Sequence, residues 1–151
     1  MILTSHLLAG AAIASKISNP FLALPLALLS HYFLDSLPQE EYTITNIHGR
    51  RWNKTFPDFL KVFLDIFLGA SLIIFFSHNS PVIYIAAFLA IVPDGITLLN
   101  RIFPENKLFN QHQKFHRAVN SIFDSKTKKI PFFLGVISQI AVVITAILLM
   151  Q

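Results

Sequence analysis

Histidine and aspartate residues recur in pairs within this sequence, at a spacing that suits metal binding. His31 and Asp35 form an H-x-x-x-D pair, and His112 and His116 form an H-x-x-x-H pair. Residues four apart leave the same face of a helix, so each pair directs two potential ligands to one side. Imidazole and carboxylate groups together suit Zn²⁺ first, with Mn²⁺ or Fe²⁺ as alternatives. Such an ion lowers the pKa of a bound water to about 7 and thereby supplies a nucleophile for hydrolysis.

Three further ionisable residues, His6, Asp65 and Asp94, lie inside apolar runs. A carboxylate in hydrocarbon costs on the order of a few kcal/mol, so it persists where it is paired, lines a wet cavity or binds a metal. If the runs are membrane helices, these residues and the two pairs lie roughly 3–13 Å below the same membrane surface. We therefore predict a single polar site at that depth. Its expected metal ligands are His31, Asp35, Asp94, His116 and His112, and its expected catalytic residues are His6, as ligand or support, and Asp65, as ligand or general base.

These residues also have interpretations without chemistry. His31 and Asp35 fit a simple hydrogen-bonded pair. Asp65 follows Lys61 by one helical turn and fits an ion pair. Asp94 lies between a proline and a glycine, where a helix can break, and it would then cap the freed amides. The other histidines of the predicted site fit positions at the level of the lipid headgroups.

The composition is typical of a membrane protein. Hydrophobic residues make up 54% of the 151 residues and charged residues only 13%, and the mean hydropathy is +0.59. A soluble domain of this size could not cover so much apolar surface. The absence of cysteine excludes disulfides, zinc-thiolate sites and cysteine nucleophiles. The net charge of +4 comes from basic residues beside apolar runs, so it indicates a membrane side rather than a nucleic acid partner.

Five apolar segments must position the predicted site. Segments 57–77, 81–100 and 131–150 are each about 20 residues long, which matches a hydrocarbon core of roughly 30 Å. Segments 2–17 and 20–37 are shorter; a re-entrant hairpin fits them, but we expect two short spans. The sequence thus predicts one all-α domain over residues 1–151, a polytopic transmembrane helical bundle with about five apolar helices.

Loop charges predict the orientation of this bundle. Loops 39–56 and 101–130 carry most of the Lys and Arg residues, whereas the turn 78–80 carries none. The long loops are therefore expected in the cytoplasm, with the N-terminus inside, the C-terminus outside and the chain integral to the plasma (inner) membrane. Within the second loop, residues 108–123 predict a cytoplasmic amphipathic helix whose apolar arc contains His112 and His116.

Four sequence motifs resemble those of the membrane-bound metal-dependent hydrolases, which are small prokaryotic inner-membrane proteins loosely similar to zinc-dependent phospholipases C. The motifs are residues 4–10 (T-S-H-L-L-A-G), 29–38 (L-S-H-Y-F-L-D-S-L-P), 93–95 (P-D-G) and 115–117 (F-H-R). Two of them depart from the family. Its aspartate motif usually reads P-D-x-D-H and its histidine motif H-R-G-x-T-H-S. Two ligands of the family are therefore missing here, unless Asp65 and His112 replace them.

The resemblance implies a metal-dependent hydrolase, and the depth of the site suits a lipid-derived phosphoester that enters from the cytoplasmic leaflet. Membrane lipids are then the expected surroundings, and a lipid-like molecule is the expected substrate. Two alternatives use the same His/Asp residues without hydrolysis. One is a non-enzymatic ion- or proton-coupled carrier. The other is a structural membrane protein in which the polar residues only determine helix packing.

Overall fold

The computed structural model describes residues 1–121 and 131–151, which form seven α-helices and no strand. The all-α prediction is confirmed for this part of the chain. The end of the predicted amphipathic helix, Ile122 and Phe123, lies outside the described residues. The helices are α1 (Leu3–Lys16), α2 (Pro20–Asp35), α3 (Thr45–His48), α4 (Phe56–Phe76), α5 (Pro81–Ile102), α6 (Lys107–Asn120) and α7 (Phe132–Met150).

Three helices, α4, α5 and α7, are long and apolar enough to cross a membrane, fewer than the about five that the sequence predicts. The difference lies in α1 and α2, which have 14 and 16 residues. At 1.5 Å per residue they are about 21 and 24 Å long, short of a core of roughly 30 Å. They form a hairpin that turns at residues 17–19, where Asn19 Oδ1 accepts a hydrogen bond from the Phe21 amide and caps α2.

The first helix is the central element of the bundle. It packs against α2, α4, α5 and α7, and Leu8 on it is completely buried. Gly10 permits the closest approach, because a Cβ atom there would lie 2.6 Å from the carbonyl oxygen of Ala86 on α5. Small residues of this kind allow helix backbones to pack closely in membrane proteins. Because α1 packs closely against the other helices, the polar residues in its first turn lie near the ends of those helices.

The outer faces of the long helices carry large apolar side chains. Phe63, Phe67 and Phe75 of α4 and Phe88 of α5 are all more than half exposed. Aromatic surface on this scale is unfavourable in water and favourable against hydrocarbon. The faces therefore suit helices that cross a membrane.

The loop between α2 and α4 covers the end of the bundle where α1 begins. Asp58 of α4 is buried and accepts hydrogen bonds from the amides of Asn46 (2.8 Å) and Ile47 (3.0 Å), at the start of α3. From α7, Ser138 and Gln139 donate to backbone carbonyls of the same loop. The loop is thus attached to two of the long helices, and this end of the bundle is closed on one side.

Candidate metal centre

Four side chains from three helices meet at the end of the bundle beneath this loop. His31 and Asp35 come from the last two turns of α2, Asp94 from α5 and His116 from α6. One ligand atom from each lies within 4.8 Å of the other three. We call these four residues the His/Asp cluster. All four belong to the ligand set predicted from the sequence.

The separations within the cluster match those around a single ion. Nε2 of His116 lies 2.9 Å from Nε2 of His31 and 3.0 Å from Oδ2 of Asp35. Nε2 of His31 lies 3.2 Å from the same Asp35 oxygen. Oδ1 of Asp94 lies 3.8 Å from His31 Nε2 and 3.6 Å from His116 Nε2. A tetrahedral ion with ligand bonds of about 2.0–2.1 Å separates its ligand atoms by about 3.3–3.4 Å. The five distances between ligand atoms in the cluster lie above and below this value.

The tautomer of His31 favours a cation at this position. Its Nδ1 lies 2.8 Å from the carbonyl oxygen of Ala90. A carbonyl only accepts, so Nδ1 carries the proton, and Nε2 of the neutral ring presents a lone pair. That lone pair faces carboxylate oxygens of Asp35 and Asp94, which are also acceptors when ionised. Several acceptors in one buried place are stabilised by a positive charge among them, either a metal ion or a proton. A backbone carbonyl that orients a histidine in this way is typical of metal sites.

Asp35 contacts more polar groups than any other residue of the cluster. Besides the two cluster histidines, its Oδ1 lies 3.2 Å from His6 Nε2 and 3.0 Å from the Met1 amino nitrogen. Asn120 of α6, with its amide nitrogen turned towards Asp35, donates to Oδ2 at 3.1 Å and to the Asp35 carbonyl at 3.2 Å. The sequence interpretation missed Asn120, although its position one turn after His116 places it on the same face of α6. These neighbours determine the orientation of the Asp35 carboxylate.

His6 lies beside the cluster rather than within it. The side chain is fully buried, and its ring stacks on that of His31 with 4.2 Å between centroids. Neither ring nitrogen has a hydrogen bond of good geometry, although Nε2 is 3.2 Å from Asp35. The structure therefore brings His6 to the predicted site, in contact with two of its ligands.

Asp94 lies on an unbroken helix. α5 continues from Pro81 to Ile102 with Pro93 inside it, so the sequence alternative of a helix break at this position does not apply. The Asp94 side chain is 32% exposed, whereas that of Asp35 is 2% exposed. Asp94 is thus on the accessible side of the cluster.

Asp65 lies at the start of α1 rather than in the cluster. Its two carboxylate oxygens accept hydrogen bonds from the amides of Leu3 (2.7 Å) and Thr4 (3.0 Å), and from the Thr4 hydroxyl (2.6 Å). Lys61, the alternative ion-pair partner, donates to the Thr43 carbonyl at 2.8 Å. Burial and the negative charge of Asp65 raise the pKa of the nearby Tyr42 above its ordinary value. In this position Asp65 caps the helix that carries His6.

His112 is adjacent to the cluster through His116 and Tyr32. Its ring lies 5.6 Å from that of His116, and its Nε2 lies 3.1 Å from the Tyr32 hydroxyl. Burial, together with the neighbouring His116 and His31, lowers the pKa of His112 and favours its neutral form. The structure thus places His112 against a ligand of the cluster and gives it a partner of its own.

A cavity of about 360 Å³ opens beside the cluster. Asp94 and His116 lie in its wall, together with Arg101, Arg117 and Gln113. Much of the remaining wall is apolar and comes from α4, α5 and the loop that covers the site. Ligand-binding cavities commonly have this volume and this mixture of apolar lining with a few polar groups.

Comparison of the chain with protein-family models, with curated proteins and with solved structures gave no match.

Proposed function

We propose that this protein is a membrane-embedded, metal-dependent hydrolase that acts on a lipid-derived phosphoester. The observation that carries this proposal is the convergence of His31, Asp35, Asp94 and His116, whose ligand atoms all lie within 4.8 Å of one another. Two imidazoles and two carboxylates suit Zn²⁺, and also Mn²⁺ or Fe²⁺. When bound, such an ion supplies Lewis acidity and an activated water to a phosphoester.

The residues of the chain have distinct roles in this proposal. His31, Asp35, Asp94 and His116 hold the ion, and the Ala90 carbonyl keeps Nε2 of His31 free to do so. His6 and Asn120 orient the carboxylate of Asp35, since His6 lies against Oδ1 and Asn120 donates to Oδ2. His112 supports His116 by ring stacking. His6 thus acts as a supporting residue, one of the two roles that the sequence suggests for it.

The substrate enters beside Asp94. Because this residue is partly exposed to the cavity and Asp35 is not, a reacting group approaches the cluster from the Asp94 side. The apolar wall of the cavity excludes water and suits a substrate with a hydrocarbon portion. Basic loops at this end of the bundle favour the cytoplasmic leaflet as the source of that substrate.

Metal analysis of the purified protein tests this proposal. We expect about one divalent ion per chain, lost in His31→Ala and in Asp94→Ala because each change removes one of four ligands. His78→Ala is the matched control, since His78 is exposed in the turn between α4 and α5. A wild-type protein that binds no ion after incubation with Zn²⁺, Mn²⁺ or Fe²⁺ would contradict the proposal, and so would an unchanged ion content in both ligand variants.

A proton relay in a non-enzymatic carrier is the second candidate. The 2.9 Å contact between the His31 and His116 rings, with Asp35 bridging both, is short enough for proton transfer between side chains. This alternative predicts metal-free protein in which His31→Ala abolishes proton-coupled uptake into vesicles. Metal content therefore separates the two candidates before any substrate is known.

A further inference from the structure

Two helices present matching polar stripes to the cavity. On α5, Asp94 and Arg101 line it, seven residues apart, with Thr97 between them. On α6, Gln113 and Arg117 line it, on either side of the ligand His116. Residues three, four and seven apart share one helix face. Each helix therefore contributes one cluster residue and one guanidinium group to the lining of the cavity.

Among the residues that the structure describes, the guanidinium groups of this wall have no carboxylate partner. In residues 1–121 and 131–151, no carboxylate lies within 4.0 Å of Arg101 or Arg117. The charged groups that act on Arg101 are instead two other cations, Arg117 and Arg50. Nε of Arg101 is buried and has no hydrogen-bond partner among those residues. Arginines that converge without a counter-charge form a site for a phosphate or another anion, which they bind through paired N–H groups.

Neutral polar groups beside these arginines are also unused. Gln113 is only 5% exposed, yet its Oε1 has no hydrogen-bond partner in the described part of the chain. The hydroxyl of Thr97 is buried and unpartnered in the same way. An unpartnered buried polar atom costs about 1–3 kcal/mol, so such atoms at a cavity wall indicate a ligand that bonds to them.

Much of the remaining lining of the cavity is apolar. Phe59, Val62 and Ile66 of α4 line it at intervals of three and four residues, and Ile91 and Leu98 of α5 continue it. The cavity thus combines two guanidinium groups with a largely apolar lining, and this combination suits an anionic amphiphile.

We infer that Arg101 and Arg117, with Gln113 and Thr97, form an anion-binding subsite for the head group of an amphiphilic phosphoester, whose apolar portion lies against α4 and α5. The inference deepens the proposed function and identifies this ligand with its substrate. None of the four subsite residues belongs to the His/Asp cluster, so the affinity of the subsite for the phosphate does not require the ion.

Calorimetric titration of chelator-treated protein tests the subsite without the metal. The probes are inorganic phosphate, butyl phosphate and hexyl phosphate, all used below the concentrations at which they form micelles. We expect hexyl phosphate to bind most tightly, with affinity increasing up to about four-fold for each methylene that becomes fully buried. Arg101→Gln and Arg117→Gln should each weaken its binding at least ten-fold. Arg51→Gln, an equal charge change at an exposed loop residue outside the cavity wall, should leave binding unchanged.

Two results would overturn the inference: equal binding of inorganic and hexyl phosphate, or equal weakening by all three arginine substitutions. Arg117 is exposed, so its variant tests the subsite even if Arg101→Gln does not fold. Metal content, measured on the same preparations before chelator treatment, separates this inference from the proposed function. Metal-free protein that binds hexyl phosphate through both arginines retains the subsite and contradicts the hydrolase. If the protein holds metal but neither arginine substitution affects binding, the hydrolase proposal is retained and the subsite is contradicted.

Discussion

Asp35 is the residue that connects the cluster to its surroundings. It contacts two histidines of the cluster, the ring of His6 and the amide of Asn120, while its side chain is only 2% exposed. A buried carboxylate is unfavourable unless its oxygens are bonded. The groups that bond to it therefore affect both the stability of the fold and the geometry offered to an ion.

Asn120 provides a test at the scale of a single residue. Asn120→Ala removes two hydrogen bonds to Asp35 without removing a ligand. Loss of such a supporting contact typically weakens metal binding by about 10–100-fold. We expect a loss in this range for Zn²⁺, measured by competition with a chromogenic chelator.

The matched control is Asn110→Ala, on the same helix. Asn110 donates to the Pro104 carbonyl away from the cluster, so its loss should leave Zn²⁺ affinity unchanged. Equal effects of the two substitutions would mean that Asn120 acts only through the stability of α6.

At the scale of elements, the short helix α1 determines where His6 lies. The helix begins against α4, where Asp65 bonds to the amides of Leu3 and Thr4. It is held laterally by the close contact of Gly10 with α5. Both interactions come from other helices, so the position of α1 depends on the assembled bundle.

Two substitutions of Asp65 distinguish a role as the cap of α1 from a role as ligand or general base. If Asp65 caps α1, Asp65→Ala should lower the free energy of unfolding by about 1–3 kcal/mol, and Asp65→Asn by less, because an amide oxygen still accepts. Denaturant titration in detergent measures this difference. Metal content should change little in Asp65→Asn.

The sequence hypothesis of a ligand or general base requires another outcome. Asp65→Asn would then abolish metal binding or hydrolysis while stability remained close to that of the wild type. This result would contradict the capping role and would return Asp65 to the chemistry of the site.

At the scale of the whole molecule, the polar groups are concentrated at one end of an apolar bundle. The cluster, the cavity and the basic loop 39–56 lie at the end where α2 and α5 finish and α4 begins. The turn between α4 and α5 lies at the other end. A membrane protein with this distribution presents its site to one leaflet only.

Cysteine labelling tests the orientation, since the chain has no cysteine of its own. The exposed residues Lys54 and His78 lie at opposite ends of α4. In intact cells a membrane-impermeant maleimide should label His78→Cys, and it should label Lys54→Cys only after lysis, because the basic loop remains in the cytoplasm. The reverse pattern would invert the topology, and labelling of both in intact cells would contradict a membrane-spanning α4.

The sequence alone predicts the boundaries of the three long helices and the four residues that meet in the His/Asp cluster. The boundaries of α4, α5 and α7 agree with the predicted segments within about two residues, as expected where apolar runs end at prolines and capping residues. The grouping of His31, Asp35, Asp94 and His116 followed from helix spacing and from their common depth. Both depend only on distance along the chain.

What the sequence could not determine depends on the lateral arrangement of the helices. The sequence predicts Asp65 as a ligand or general base, whereas the structure places it against the start of α1. Asn120 occupies a position near Asp35 that spacing does not single out. The sequence predicts spans for the two shorter apolar segments because both are strongly apolar, but the helices within them have only 14 and 16 residues. Which face of each helix meets which neighbour is decided by close packing between residues far apart in the chain, such as Gly10 and Ala86. Only the tertiary structure contains that information.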